Sequence, residues 1–231
     1  MLGPVDYLLF LIEIALEAAA VVFLLKQKAL KQYFTLVLFL CASVAVGVGR
    51  YSVLKTEGFS SDAYLYFYYF SDALLTICLF FVLMTLYAHV FSEMNVGKYV
   101  RGGAMLLLAA TILISYHTVA SSSDKMITKF VNEISQNLYF VGVVLTYLLW
   151  GAMMKLRESR TRLMQLVLSM GVYFSAFAGS FALGNMYPNL RLWHYACHLM
   201  VVWLPISWAY TFMKVPEDAR TATARVVAPT Q

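Results

Sequence analysis

The sequence predicts an all-α polytopic integral membrane protein, a bundle of seven transmembrane helices with the N-terminus outside and the C-terminus cytoplasmic. Three observations carry this. Of 231 residues, 61% are apolar and only 13% charged, whereas a typical soluble domain is about 45–50% apolar and about 25% charged. Mean hydropathy is +0.73. Apolar runs of about 20 residues recur along the chain, each long enough to cross a hydrocarbon core of about 30 Å. So few charges cannot cover a water-facing globule, which excludes a soluble enzyme or a DNA-binding domain. The lipid bilayer is the expected partner, and nucleic acid is not one.

The spans are read at about 5–25, 33–54, 64–91, 100–118, 127–154, 162–184 and 192–213. Residues 1–215 form one membrane domain, and 216–231 are a cytoplasmic tail expected to be disordered. The opening MLGPVDYLLF has Asp6 where a signal peptide would be basic, so it reads as the start of the first span. Within that span Glu13 and Glu17 stand one turn apart, with Asp6 seven residues before Glu13, so all three share a face. That face must turn toward protein or trapped water. Like charges at this spacing repel, so the pair is expected to hold a proton or a cation.

The second span carries Arg50 near its outer end, within reach of Glu13 or of the headgroups by snorkelling. The third opens with Tyr64, Tyr66, Phe67, Tyr68, Tyr69 and Phe70, the composition of an interfacial aromatic belt. It continues with Ser71, Asp72 and Thr76 and ends near His89. The fourth ends near His117, an interfacial position. The fifth is preceded by Ser121-x-x-Asp124, a capping-box pattern, and carries Asn132, Glu133, Gln136 and Asn137. The sixth spaces small residues four apart, Ser175 with Gly179 and Ala176 with Ser180, which permits close helix approach. The seventh holds His194 and His198 on one face, and a kink is expected at Pro205. Cys41, Cys78 and Cys197 lie in apolar segments without a Cys-x-x-Cys pair and read as buried small hydrophobes.

Orientation follows from basic residues in short loops. The side holding the connections after spans 1, 3 and 5, with the tail, collects 12 lysines and arginines, and the other side five. Cations stay inside, so the chain is placed in a cell membrane, a bacterial inner membrane or its equivalent.

Ionisable residues inside spans cost about 2.5–3.5 kcal/mol each on insertion scales, which makes them the functional pointers. Glu13, Glu17, Arg50, Asp72, Glu133, Asn137, His194 and His198 are expected to line one polar pocket opening outward. The first functional expectation is a non-enzymatic protein whose pocket binds a small molecule, lipid headgroup or ion in a sensory or accessory role. No catalytic residue is assigned. A structural subunit of a larger membrane complex is an alternative.

His194-x-x-x-His198 can also bite one metal. With Asp72 it partly resembles the seven-helix amide hydrolases that include alkaline ceramidases and adiponectin-receptor-like proteins. In those a helix 7 His-x-x-x-His, a helix 3 Asp and a helix 2 Ser-x-x-x-His surround zinc. The resemblance implies a zinc-dependent lipid amide hydrolase at the outer leaflet, with His194, His198 and Asp72 around the metal. It covers those three residues, since the segment 41–50 has no histidine. Two histidines four apart on one helix cannot clasp one haem iron, and a retinal Schiff base has no buried lysine to form on.

Overall fold

Seven long helices make up nearly all of the described chain in a computed structural model that describes residues 4–26, 33–58, 61–91, 97–119, 126–156, 160–187 and 192–216. Within these, the side chains of 4–10, 97, 98, 100, 101, 185 and 192–198 lie outside the description. The helices are α1 (Pro4–Lys26), α2 (Phe34–Glu57), α3 (Asp62–Val90), α4 (Gly97–Val119), α5 (Met126–Lys155), α6 (Thr161–Met186) and α7 (Leu192–Lys214). No strand occurs among the described residues. Five helices, α2 to α6, are long and apolar enough to cross a membrane. Their surfaces are apolar too: Leu106 is 69% exposed and Leu113 68%. Such patches are stable against lipid and costly against water, so the chain is a multi-pass membrane protein.

Local chemistry sets the breaks. After α2 the backbone reaches Gly58 at φ 82°, a left-handed geometry that lacks a steric cost only without a Cβ. Ser61 then caps α3 by accepting the Tyr64 N–H at 3.1 Å. The capping-box residues Ser121 and Asp124 and the tail from 217 onward lie outside the described residues.

Packing closes a ring in the order α1, α2, α3, α5, α6, α7 and back to α1, with α3 also meeting α6 across it. The remaining helix, α4, stands outside against α5 and α3. The upper end of the bundle is where α1 begins. At the lower end, Thr35 at the start of α2 donates to Thr85 near the end of α3 at 2.9 Å. There Tyr33 stacks on His89 and meets Phe212 edge-on. Arg160 donates to the His89 carbonyl at 3.1 Å, and buried Arg162 grips the Val215 carbonyl through two nitrogens at 2.9 and 2.6 Å. These arginines occupy carbonyls that helix ends leave without intrahelical donors, which fixes α6 to the ends of α3 and α7.

The lower interior is apolar, packed with Leu24, Leu36, Leu40, Leu83, Leu86, Leu149, Leu166 and Trp208. Most of its few polar groups are paired, as where Trp208 Nε1 donates to Ser169 Oγ at 2.9 Å, whereas Gln165 Oε1 is buried without a hydrogen-bond partner. Two sequence expectations change. Cys41 is exposed on α2, because the buried positions Leu36, Val37, Leu40 and Ser43 take the inward face and leave 41 outward. The α3 belt is divided: Tyr66, Phe67, Tyr68 and Phe70 are exposed while Tyr64 is buried.

One contact decides how closely α5 and α6 approach. A Cβ at Gly142 would stand 2.4 to 2.7 Å from ring atoms of Phe174, which is itself 1% exposed and packed on Tyr139 and Tyr173. Gly142→Ala is therefore expected to cost about 1–3 kcal/mol through overpacking, seen as a lower unfolding midpoint in detergent. Gly151→Ala on the same helix, where an added Cβ meets nothing within 4 Å, should leave the midpoint unchanged.

Candidate functional site

The upper interior is where the ring holds its charge. On α1, Glu17 is 3% exposed, and its Oε1 accepts the Ser43 hydroxyl of α2 in a short hydrogen bond. Two turns further along the same face of α2, Arg50 donates Nε to Ser71 Oγ of α3 at 2.9 Å and a terminal nitrogen to the Tyr68 carbonyl at 3.3 Å. Its guanidinium lies 4.4 Å above the Tyr68 ring. The belt tyrosine thus serves as a cation–π platform for Arg50.

Arg50 acts electrostatically on both Asp72 and Glu17, and Glu13 acts on Glu17. Ser135 of α5 faces the Asp72 carboxyl without reaching hydrogen-bond geometry. One turn deeper, Thr76 Oγ1 donates to the Asp72 backbone carbonyl at 2.8 Å and lies 3.2 Å from the Tyr139 hydroxyl. Tyr139 in turn lies beside Tyr173 of α6, ring centroids 6.3 Å apart, and Tyr173 feels Asp72, Glu13 and Glu17 together. The rings of these tyrosines pack on Phe177 at 4.8 and 4.6 Å between centroids.

The contacts fix a register. Counting about 1.5 Å per residue from the Arg50–Ser71 and Glu17–Ser43 pairs, Glu13 lies roughly 3 Å below Asp72, the Thr76–Tyr139–Tyr173 layer roughly 6 Å below it, and Glu17 with Ser43 roughly 9 Å below it. The result is a polar ladder inside the upper half of the ring, built from α1, α2, α3, α5 and α6. Below Glu17 the interior is mainly apolar, and its buried hydroxyls Thr146, Ser169 and Thr211 donate to backbone carbonyls of their own helices.

Of the expected pocket residues, the structure brings Glu13, Glu17, Arg50 and Asp72 into this ladder. Arg50 spends its hydrogen bonds on α3, so no bond to Glu13 is needed to hold it. Asn137 goes elsewhere: its Nδ2 donates at 3.0 Å to the fully buried Ser115 of α4 and so docks α4 on the outside of the ring. Glu133, partly buried, precedes Asn137 by one turn on the same stripe. The side chains of His194 and His198 lie outside the described residues, as does their expected meeting with Asp72. Among the described residues no group of three His, Cys, Asp or Glu side chains is placed to hold a metal ion.

Sequence reasoning missed Ser43, Ser135, Tyr139 and Tyr173. Ser135 and Tyr139 were findable as one face of α5 with Val131, Ile134, Leu138 and Gly142, all buried. Nothing in the sequence singles out Ser43 or Tyr173. No family model matches the chain, and no curated protein or solved structure is significantly similar to it.

Among the described residues Ser43 is the one hydroxyl that pairs with Glu17. Ser43→Ala would leave the buried carboxyl without that partner, at a cost of about 1–3 kcal/mol. The loss should shrink when Glu17→Gln is already present, because the two side chains form one interaction and their effects do not add. Unfolding midpoints of the two single variants and the double variant measure this; strictly additive shifts would separate the residues energetically.

Proposed function

We propose that the chain is a seven-span membrane protein, N-terminus outside, whose polar ladder lines a blind pocket opening to the outer side and binding a small cationic molecule or ion in a sensory or accessory role. One observation carries the reading: the acidic ladder begins at the upper end of the ring and stops at Glu17 and Ser43, above an apolar floor formed by residues such as Leu24, Leu40, Leu83 and Trp208. A polar path on one side only suits recognition. Conduction would need it to continue to the other side.

The charge balance supports a cationic occupant. Among the described residues Glu13, Glu17 and Asp72 stand against Arg50, and a binding site compensates for the charge its walls lack. The outward direction rests on the basic residues, 12 against five, in the short connections and tail. The lower end, where Arg160 and Arg162 lie, is then cytoplasmic.

The test uses accessible thiols. In a cysteine-free background, Asp72→Cys is expected to react in intact cells with a membrane-impermeant thiol reagent, while Leu83→Cys in the floor stays unlabelled. A reporter fused to the C-terminus should read out as cytoplasmic. Labelling of position 83 from outside would open the floor, and an external reporter would invert the topology; either result overturns the reading.

A further inference from the structure

The pocket reading leaves the ligand open, and two atoms narrow it. Glu17 Oε2 is buried and has no hydrogen-bond partner, although Oε1 of the same carboxyl is held by Ser43. Ser135 Oγ, on a residue 1% exposed and facing Asp72, is likewise without a partner. A fully desolvated oxygen left in this state forfeits its hydration and receives nothing in return. Both atoms sit in the ladder, where the described carboxyls outnumber the guanidinium.

The donor chemistry is uniform. Apart from Arg50, the described polar groups of the ladder present oxygen: the carboxyls of Glu13, Glu17 and Asp72, the hydroxyls of Ser43, Ser135 and Thr76, and the phenols of Tyr139 and Tyr173. Oxygen donors without thiol or imidazole suit hard cations. Calcium draws on several carboxylates at once, whereas here one carboxylate oxygen is without a partner and the described acids do not converge as a three-membered metal group. At the floor Glu17 is the one described carboxylate, Glu13 and Asp72 standing roughly 6 and 9 Å above it, so a single positive charge matches it.

We propose that Glu17 anchors a single monovalent metal cation, sodium or potassium, at the floor of the pocket. Ser43 fixes the carboxyl so that Oε2 faces the ion, which replaces the hydrogen bond that the protein does not supply. Asp72 and Glu13, roughly 9 and 6 Å above Glu17, form steps of negative charge along the way in. Arg50, held by Ser71 and Tyr68 at the mouth, neutralises part of that charge and keeps the site from demanding a divalent ion.

This rests on the pocket proposed above, and the experiment separates the two. Full-length protein in lipid nanodiscs is unfolded by heat at one pH in choline chloride, sodium chloride or potassium chloride of equal ionic strength. Sodium or potassium at a hundredfold excess over half-saturation should raise the midpoint by about 5–10 °C over choline, and the better of the two names the ion. Glu17→Gln should reduce the rise to below about 1 °C, whereas Glu57→Gln, at the exposed end of α2, should retain it. Should Glu17→Gln not fold, equilibrium dialysis of radioactive sodium and potassium decides: saturable binding to the parent, weakened about tenfold or more in Ser43→Ala, supports the site, and its absence overturns it. Equal midpoints in the three salts overturn the proposal, as does a stabilisation produced by acid alone and identical in all salts, which would make the occupant a proton. Thiol labelling at position 72 without a cation effect leaves the pocket standing and removes the ion; a cation effect without labelling does the reverse.

Discussion

The cost of placing charge in hydrocarbon governs this molecule. Each ionisable side chain at bilayer depth carries a penalty of about 2.5–3.5 kcal/mol on insertion scales, and the chain places Glu13, Glu17, Arg50 and Asp72 within its helices. The penalty is reduced by turning them inward, toward one another and onto buried hydroxyls. Helices α1, α2 and α3 are therefore rotated so that Glu17 meets Ser43 and Arg50 meets Ser71. Those two contacts set the register of three helices, and the ring closes around them.

The rest of the ring is shaped by how that interior is walled. Helices α5 and α6 bring phenols and hydroxyls, not charges, and their aromatic stack of Tyr139, Tyr173 and Phe177 demands the close approach that Gly142 permits. With no hydrophobic drive between helices in lipid, packing and interhelical hydrogen bonds hold the bundle. The lower end shows this plainly: Arg160 and Arg162 bind backbone carbonyls at the ends of α3 and α7, and Thr35 reaches Thr85. Helix α4 belongs to neither group of contacts. It is pinned from outside through Ser115 and Asn137.

Seven helical segments are legible in the sequence because apolar length is a one-dimensional signal: a span needs about 20 residues whatever its neighbours. The ionisable residues are legible for the same reason, since their rarity within apolar runs marks them. Rotation is not. The polar pairs of α5 at Asn132, Glu133, Gln136 and Asn137 look inward by density alone, yet Asn137 serves α4, because a peripheral helix in lipid also needs polar glue and the sequence does not say which neighbour receives it. Cys41 misleads in the same way, since an apolar residue in a membrane protein is as stable facing lipid as facing the core. Ser43 and Tyr173 stay hidden because a hydroxyl gains meaning only from the partner that another helix brings.

The two halves of the interior differ in a way that bears on mechanism. Above Glu17 the described side chains of α1 and α3 offer oxygen at Glu13, Asp72 and Thr76, so water or an ion meets a new partner every few ångströms. Below Glu17 the next buried layers are Ala20, Leu24, Leu40, Leu79 and Leu83, and an ion pressed into them would regain the desolvation penalty that the ladder had offset. A charged ligand in the pocket we propose would thus be held, not passed on. Anything it signals must travel through the helices that hold it, and α2 is the direct route. Its Ser43 fixes Glu17 and its Arg50 ties to α3, while its first turn, through Thr35 and the preceding Tyr33, contacts the ends of α3 and α7 at the opposite face. A small rotation of α2 would change both ends at once, because it is hydrogen-bonded to α1 and α3 at the upper end and to α3 at the lower.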